Sequence, residues 1–265
     1  LQITQTLEKR ALAFQENPKV AVVLSTGYAN PPHSTLAARY INEFGDPFSM
    51  YYYRLSKDQR FHIKSLRNRH HVQRETSNYI VFELNDKAQP IIEVAAMASA
   101  IDLNFFRTNF GELFADPAGL THFFYHMQEK TKLFAVTKDD ATMHYSAEHW
   151  SGFLRKIKWR VRNNIFFIDQ IGISGFNGRA KFDPPLRRLK KYLYISYAFL
   201  IFPALIDSIW LMTTRRDKQY WMHLPLTLYT AAMIVGSFVI KLCGYRPNTT
   251  VYGGKSRIPS KAHRN

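Results

Sequence analysis

The sequence predicts an α/β domain followed by a basic helical region that associates with a membrane. Short apolar runs alternate with helical segments across residues 1–146, a pattern typical of an α/β layer domain. Two apolar runs of 21 residues each, 192–212 and 223–243, then lie ten residues apart, and a helix needs about 20 residues to cross a bilayer. Residues 1–150 carry 16 basic and 16 acidic side chains, whereas residues 151–265 carry 20 and 4. We therefore expect a neutral half joined to a strongly basic one.

Local signals define the first elements. Residues 3–17 have helical composition and end at Pro18, while residues 20–25 hold a continuous apolar run typical of a buried strand. Ser34 predicts the N-cap of a helix that ends near Phe44, where a Gly-Asp-Pro sequence interrupts it. Further apolar runs bounded by turn residues predict strands at 79–84, 91–97 and 133–136, and a helix is predicted at 119–130.

Residues 147–170 predict an amphipathic helix. Apolar side chains recur at helical spacing from Trp150 to Ile168, and five cations occupy the remaining surface. This combination is typical of a helix that lies in the membrane interface. A helix packed on the domain with a solvated basic face is the alternative, but the neighbouring apolar runs favour the interface.

The C-terminal region predicts a membrane hairpin between basic segments. Residues 171–191 are expected to form a basic linker, residues 192–243 a two-helix transmembrane hairpin, and residues 244–265 a basic cytoplasmic tail. The positive-inside tendency places the linker and the tail on the same, cytoplasmic side. Pro203 and Asp207 lie inside the first run, so a shallow hairpin that does not cross stays open, because a carboxylate in mid-membrane is costly.

The placement of the charge indicates the partner. The cations crowd the flanks of the apolar runs, where anionic lipid head groups lie, so they predict contact with membrane lipids and not with nucleic acid. Cys243 is the single cysteine, which excludes an intrachain disulfide bond.

Residues 132–164 resemble membrane-bound inverting family 2 glycosyltransferases. The stretch from Leu133 to His144 reads LFAVTKDDATMH and precedes a basic amphipathic helix, which is the order in that family. Processive members carry a Gln-x-x-Arg-Trp motif in this helix. Here Arg155-Lys-Ile-Lys-Trp159 stands at the corresponding place, with a cation before the Trp and with Arg in place of Gln. The resemblance extends over about residues 1–245.

The resemblance implies the fold class in more detail. Residues 1–23 look like the stretch just after the metal-binding Asp-x-Asp of the family. We therefore expect the C-terminal half of a nucleotide-diphospho-sugar-transferase-like (GT-A type) domain, without the nucleotide-binding N-terminal half. The family uses Mg²⁺ or Mn²⁺, and the ligands of that cation would lie outside this chain, so no metal ligand is assigned here.

The implied function is that of a membrane-anchored inverting glycosyltransferase of the hexosyltransferase class. It would transfer a sugar from a nucleotide-sugar donor to a lipid or glycan acceptor at the cytoplasmic face of the cell membrane. The protein would be multi-pass, with its catalytic half in the cytoplasm, and this portion alone would be inactive. The alternatives are a non-catalytic membrane-tethered binding or scaffold protein derived from such an enzyme, and a lipid-binding regulator.

The resemblance also indicates where a catalytic base would lie. An acceptor hydroxyl must lose its proton as it attacks the sugar carbon, so a proton acceptor is needed. The family places an Asp near the start of the helix predicted at 119–130. Asp116 is the nearest carboxylate, and His122 is the other proton acceptor within reach. An N-cap role before Pro117 is the structural alternative for Asp116.

Donor binding is expected on the basic helix. Fixed cations beside a leaving nucleoside diphosphate stabilise the transition state, so Arg155, Lys158 and Arg160 are the candidates. Trp159 offers a ring that can stack on a sugar or a base. His144 is expected to orient the acceptor or a phosphate. Anchoring at the membrane interface for the helix residues, and a purely structural histidine, stay open as alternatives.

Overall fold

The structure, a computed structural model, is mixed α/β, and it describes residues 2–85, 99–112, 126–146, 149–168, 175–245 and 247. The strands are β1 (Val22–Leu24), β2 (Gly27–Ala29), β3 (His71–Glu75), β4 (Tyr79–Glu83), β5 (Ala100–Ile101), β6 (Leu133–Thr137) and β7 (Ala141–Met143). The helices of the first half are α1 (Gln2–Glu16), α2 (Leu36–Phe44), α3 (Pro47–Tyr53), α4 (His62–Arg67) and α5 (Leu103–Phe110). Those of the second half are α6 (Trp150–Phe166), α7 (Phe176–Arg179), α8 (Pro185–Arg188), α9 (Tyr194–Phe199), α10 (Phe202–Arg215) and α11 (His223–Leu242). Short 3-10 turns lie at Ala180–Phe182, Leu189–Leu193 and Lys218–Met222.

A five-stranded mixed sheet with the order β3-β4-β6-β1-β5 forms the centre of the N-terminal half. Strands β1 and β6 are parallel, with Val23 opposite Ala135, and the other neighbours are antiparallel. Strand β1 and most of β6 are fully buried, as expected for strands covered on both faces. After a bend, β1 and β6 continue into the parallel pair β2 and β7, in which Tyr28 lies opposite Thr142.

Most of the predicted elements of the first half are present. The strands expected at 20–25, 79–84 and 133–136 are confirmed as β1, β4 and β6. Each is a short, continuous apolar run, and such a run is by itself a signal for a buried strand. The strand expected at 91–97 lies outside the described residues, and of the helix expected at 119–130 only 126–130 is described, as helix. Strand β3 was not predicted, because its side chains are all exposed and mostly polar.

The N-cap of α2 differs from the expectation by one residue. Thr35 caps the helix, and its hydroxyl accepts a hydrogen bond from the amide of Ala38 at 3.3 Å. The Ser34 hydroxyl instead donates to the carbonyl of Pro31 at 2.6 Å, which closes the preceding turn.

Helix α6 is present as predicted, but its apolar stripe has a protein partner. Phe153, Ile157, Val161 and Ile165 are buried in a cluster with residues of α2 and α11. These contacts agree with the alternative, in which the helix packs on the domain. They do not agree with an apolar stripe that is free to enter the membrane. The reason is tertiary: α2 and α11 present matching apolar faces that are distant in sequence.

The first predicted span is not one straight helix. Its two parts, Pro185–Phe199 and Phe202–Arg215, meet at an angle of 89°. At the break Ile201 adopts a φ of 60°, unusual for a β-branched residue, and Pro203 stands in the first turn of α10, where a proline can begin a helix but cannot continue one. The first apolar run is therefore part of a bent pair of helices, and the two-helix transmembrane hairpin and its shallow alternative both stay predictions.

One helix could still cross a membrane. Within the described ranges, Lys218–Leu242 is long and apolar enough, with a mean hydropathy of 1.6 over its best window and 33% of that window buried inside the protein. A second crossing would exist only if the bent pair counts as one span.

Polar contacts join the two halves. Arg54 forms a bidentate ion pair with Asp207 at 2.7 and 2.9 Å, which explains a carboxylate inside an apolar run. Arg215 pairs with Glu43 at 2.6 Å. The expected linker also packs on the domain, because Asp183 accepts a hydrogen bond from the Tyr52 hydroxyl of α3.

Candidate functional site

The candidate site begins where strands β2 and β7 end. Tyr28 on β2 and His144 just after β7 stack with their ring centroids 4.4 Å apart. The His144 amide donates to the carbonyl of Ala29 at 3.1 Å, which extends the parallel register by one step. Parallel pairing thus brings two chain segments that are more than 100 residues apart to one edge.

Asn42 of α2 holds the imidazole of His144 in one tautomer. Its amide nitrogen donates to Asn30 Oδ1 at 2.8 Å and to the His144 carbonyl at 2.9 Å, so both amide hydrogens are used. Its Oδ1, 2.7 Å from His144 Nδ1, must therefore accept, and Nδ1 carries the proton. Burial, with the charges of Lys156 and Lys57, lowers the pKa of His144. The ring is neutral at pH 7, and Nε2 can accept a hydrogen bond.

Lys57 and Lys156 lie near this histidine, and Arg160 lies near both lysines; we call Lys57, Lys156 and Arg160 the cationic cluster. Burial and the nearby charge of Arg160 lower the pKa of Lys57 to about 7. Burial and the charges of Arg160 and Lys57 lower the pKa of Lys156 to about 8. Each ammonium is thus destabilised mainly by its loss of water and further by the other cations.

Asp46 is the carboxylate nearest to the cationic cluster, and its two oxygens are occupied. Oδ1 caps α3 by accepting from the Ser49 amide at 2.7 Å, and Oδ2 accepts from the Arg160 guanidinium. Gly45 makes room for this pair, since its φ is +86° and an added Cβ would lie 2.9 Å from Arg160 Nη1. In the described part of the chain no acidic side chain forms an ion pair with Lys57 or Lys156. The cationic cluster therefore has positive charge in excess.

The backbone of Lys57 is held between two elements. Its amide donates to the Glu43 carbonyl of α2 at 3.0 Å, and its carbonyl accepts from the Tyr28 amide of β2 at 2.7 Å. Gly27, at a φ of +140°, leaves space for that carbonyl, which an added Cβ would approach to 2.7 Å. The buried position of this lysine is thus imposed by the fold.

Only part of the predicted site comes together. Arg160 and His144 lie at the cationic cluster, whereas Arg155 and Lys158 are exposed and Trp159 is half-buried. Positions 156 and 160 are one turn apart on the helix, while position 158 lies about 200° around the axis from 156. Asp116 and His122 lie outside the described residues, so a role as base stays a prediction for both.

Sequence reasoning missed two members of the cationic cluster. Lys156 could have been found, because its spacing of four from Arg160 places both on one helix face. Lys57 could not, because only the pairing of β2 with β7 and the packing of α6 bring it there. Asn42, which orients His144, likewise has no signal in the sequence.

The described residues do not fit the divalent cation that the resemblance implies. No group of three or more His, Cys, Asp or Glu side chains stands together among them. Asp46, the carboxylate closest to the cationic cluster, is already engaged by Arg160 and by the Ser49 amide. We assign no ligand to Mg²⁺ or Mn²⁺ and derive no step through a metal.

Comparisons of the chain with protein-family models, with curated proteins and with solved structures find no match. Function is therefore argued from the geometry of the cationic cluster and from the resemblance carried by residues 132–164.

Replacing Lys57 with Met should stabilise the protein. Lys57 has an ordinary pKa of 10.5 when unfolded but a pKa of about 7 when folded. Between pH 7 and pH 10.5 the Lys57 amine therefore holds a proton in the unfolded chain but not in the folded one. The ammonium charge of Lys57 opposes folding most at pH 7 and below. We expect Lys57→Met to raise the free energy of unfolding by about 1–4 kcal/mol at pH 7, and this gain should shrink as the pH approaches 10. Urea unfolding at several pH values measures it, and a destabilised variant at pH 7 would contradict the burial of this charge.

Proposed function

We propose that this chain is part of a membrane-associated inverting glycosyltransferase whose cationic cluster binds the diphosphate of a nucleotide-sugar donor. The observation that carries the proposal is a pair of lysine side chains beside Arg160, Lys57 buried and Lys156 partly buried, neither of which forms an ion pair with an acidic side chain that the structure describes. A fold retains such charges at a cost in stability, so a ligand that compensates them is the natural explanation.

A diphosphate fits this electrostatic pattern. It supplies several negative oxygens over a short distance, which matches three cations held close enough to lower the pKa values of both lysines. In sugar transfer, negative charge grows on the leaving diphosphate as the bond to the anomeric carbon breaks. Fixed cations in a water-poor site stabilise that charge more in the transition state than in the ground state.

The surroundings support binding of a sugar next to this diphosphate. His144 presents an unprotonated Nε2 beside Lys156 and can accept a hydrogen bond from a sugar hydroxyl. Trp159 precedes Arg160 in α6, and its apolar ring can stack on the face of a sugar. Asp116 and His122 remain the proposed bases, and the acceptor would be a lipid or a glycan.

Membrane attachment belongs to the same proposal. Helix α11 is long and apolar enough to cross a membrane, and several side chains on α10 and α11 are exposed although apolar, among them Ile206, Trp210 and Phe238. We propose that these helices contact lipid and that the α/β half lies at the cytoplasmic face.

Binding of pyrophosphate at varied pH tests the proposal directly. The charges of Lys57 and Lys156 are lost as the pH rises through about 7 and 8. Loss of one or both charge-assisted contacts should weaken pyrophosphate binding roughly tenfold or more between about pH 6.5 and about pH 9. Pyrophosphate gains negative charge over this range, so a fall in affinity must come from the protein. Titration calorimetry gives the affinities.

A double variant, Lys57→Met with Lys156→Met, provides the comparison for that titration. It should bind pyrophosphate weakly at every pH, and its affinity should not fall as the pH rises. An affinity that is independent of pH in the unaltered protein would count against the cationic cluster. Binding of pyrophosphate without any sugar transfer, in the whole enzyme of which this chain is proposed to be part, would favour the alternative of a non-catalytic binding protein.

A further inference from the structure

A second site lies between helices α6, α9 and α11. It is a cavity of about 380 Å³, within the range of about 300–1,000 Å³ common for ligand pockets. Its walls are largely apolar, formed by Ile157, Val161 and Ile165 of α6, Ile195 of α9, and Ile234 and Phe238 of α11. An apolar lining of this kind favours a hydrocarbon chain over water or a sugar.

The cavity adjoins the surface that suits lipid. Phe238, which forms part of its wall, is 51% exposed, and the next two residues of α11 are exposed and apolar. Helix α11 is also the helix that could cross a membrane. A chain from the bilayer could therefore reach the cavity along α11 without passing through water.

The polar part of the lining includes two cations, Arg160 and Lys191, and one carboxylate, Asp46. Arg160 lines the cavity, and its guanidinium forms an ion pair with Asp46, which also lines it. Lys191 also lines it, and its ammonium contacts the neutral amide oxygen of Asn177 at 2.7 Å. Lys191 belongs to a basic segment that includes Arg187, Arg188 and Lys190. An anionic head group would complement this charge.

We infer that this cavity binds the hydrocarbon chain of a membrane lipid whose phosphate head group contacts Lys191. The inference goes beyond the proposed function, because it concerns a second ligand and requires neither a nucleotide nor sugar transfer. It commits to a lipid phosphate, since inorganic phosphate would leave the apolar walls unfilled.

Photo-crosslinking tests the site. A decyl phosphate that carries a diazirine near the end of its chain is added to the full chain in phosphatidylcholine vesicles, and labelled peptides are identified by mass spectrometry. We expect labelling of α6 and α11 at residues that line the cavity. Ile234→Trp should fill the cavity and reduce this labelling about tenfold or more. Val235→Trp adds the same side chain one position along α11, at a residue that does not line the cavity, and should label normally.

Chain length and head group separate a bound lipid from simple immersion in the bilayer. Displacement of the probe by alkyl phosphates should improve about fourfold per added methylene and then level off once the cavity is full. Lys191→Met should remove the advantage of an alkyl phosphate over the alcohol of equal length. Inorganic phosphate should not compete. If Ile234→Trp does not fold, as judged by circular dichroism, Ile195→Trp fills the cavity from the opposite wall.

Three results would overturn the inference: equal labelling in the cavity-filling and control variants, labels spread over the exposed faces of α10 and α11, or competition by inorganic phosphate alone. Pyrophosphate binding measured on the same samples reports on the cationic cluster separately. Lipid labelling without pyrophosphate binding would refute the proposed function and leave the lipid site intact, and the reverse result would refute only the lipid site.

Discussion

Replacing Arg215 with Met should lower the free energy of unfolding by about 3–5 kcal/mol. Arg215 reaches from α10 into the first half of the chain, where its guanidinium pairs with Glu43 at 2.6 Å, and the two side chains are 6% and 1% exposed. Tyr220 and Ser56 also donate hydrogen bonds to the Glu43 carboxylate, at 2.7 and 2.8 Å. Without the guanidinium, that carboxylate is left buried and charged, which is the most expensive way to break such a pair. Urea unfolding followed by circular dichroism measures the loss.

Two further variants isolate the cause of this loss. Arg216→Met removes the same charge from the adjacent, exposed position and should cost less than about 0.5 kcal/mol. Glu43→Gln combined with Arg215→Met removes both charges and should recover most of the stability. If Arg215→Met were no more destabilised than Arg216→Met, the two halves would not be joined by this ion pair.

Replacing Arg160 or Lys156 with Ala should lower sugar transfer about 10²–10³-fold if the cationic cluster holds the donor diphosphate. Both side chains project from one face of α6 toward Asp46 and Lys57, where charge would grow on the leaving group. Transfer from radiolabelled nucleotide sugars measures the effect, in membranes that contain the whole enzyme of which this chain is proposed to be part. Lys156→Ala is the cleaner variant, because no ion pair holds Lys156 in the described part of the chain, whereas Arg160→Ala leaves Asp46 without its partner.

Lys158→Ala is the matched control for these two variants. It removes a cation from the same helix at an exposed position on the other side, so transfer should change less than about threefold. An equal loss in Lys158→Ala would instead restore the interpretation from sequence alone, in which the whole segment from Arg155 to Arg160 faces the donor. Full transfer in all three variants would reduce the basic face of α6 to a contact for membrane lipids.

The site was only partly predictable because its members come from parts of the chain that are far apart in sequence. The helical period identified α6 and included Arg160 among its cations, and the resemblance indicated His144. The same period would have separated Lys158 from Arg160, since two residues correspond to about 200° around a helix. The pairing of α6 with the turn between α2 and α3, which brings Arg160 to Asp46, depends on contacts between residues 114 positions apart.

The sequence by itself determined the buried strands β1, β4 and β6, the amphipathic helix α6 and the long apolar helix α11, because each follows from the local order of apolar and polar residues. Only the tertiary structure decided what those faces contact. It buried the stripe of α6 against α2 and α11, bent the first apolar run at Ile201, and paired Asp207 with Arg54. It also gathered Lys57, Lys156 and Arg160 at one place. The spacing of apolar residues specifies that one face of an element will be buried. Which segment buries that face, and which charged side chains are buried with it, depends on packing between segments that are distant in sequence.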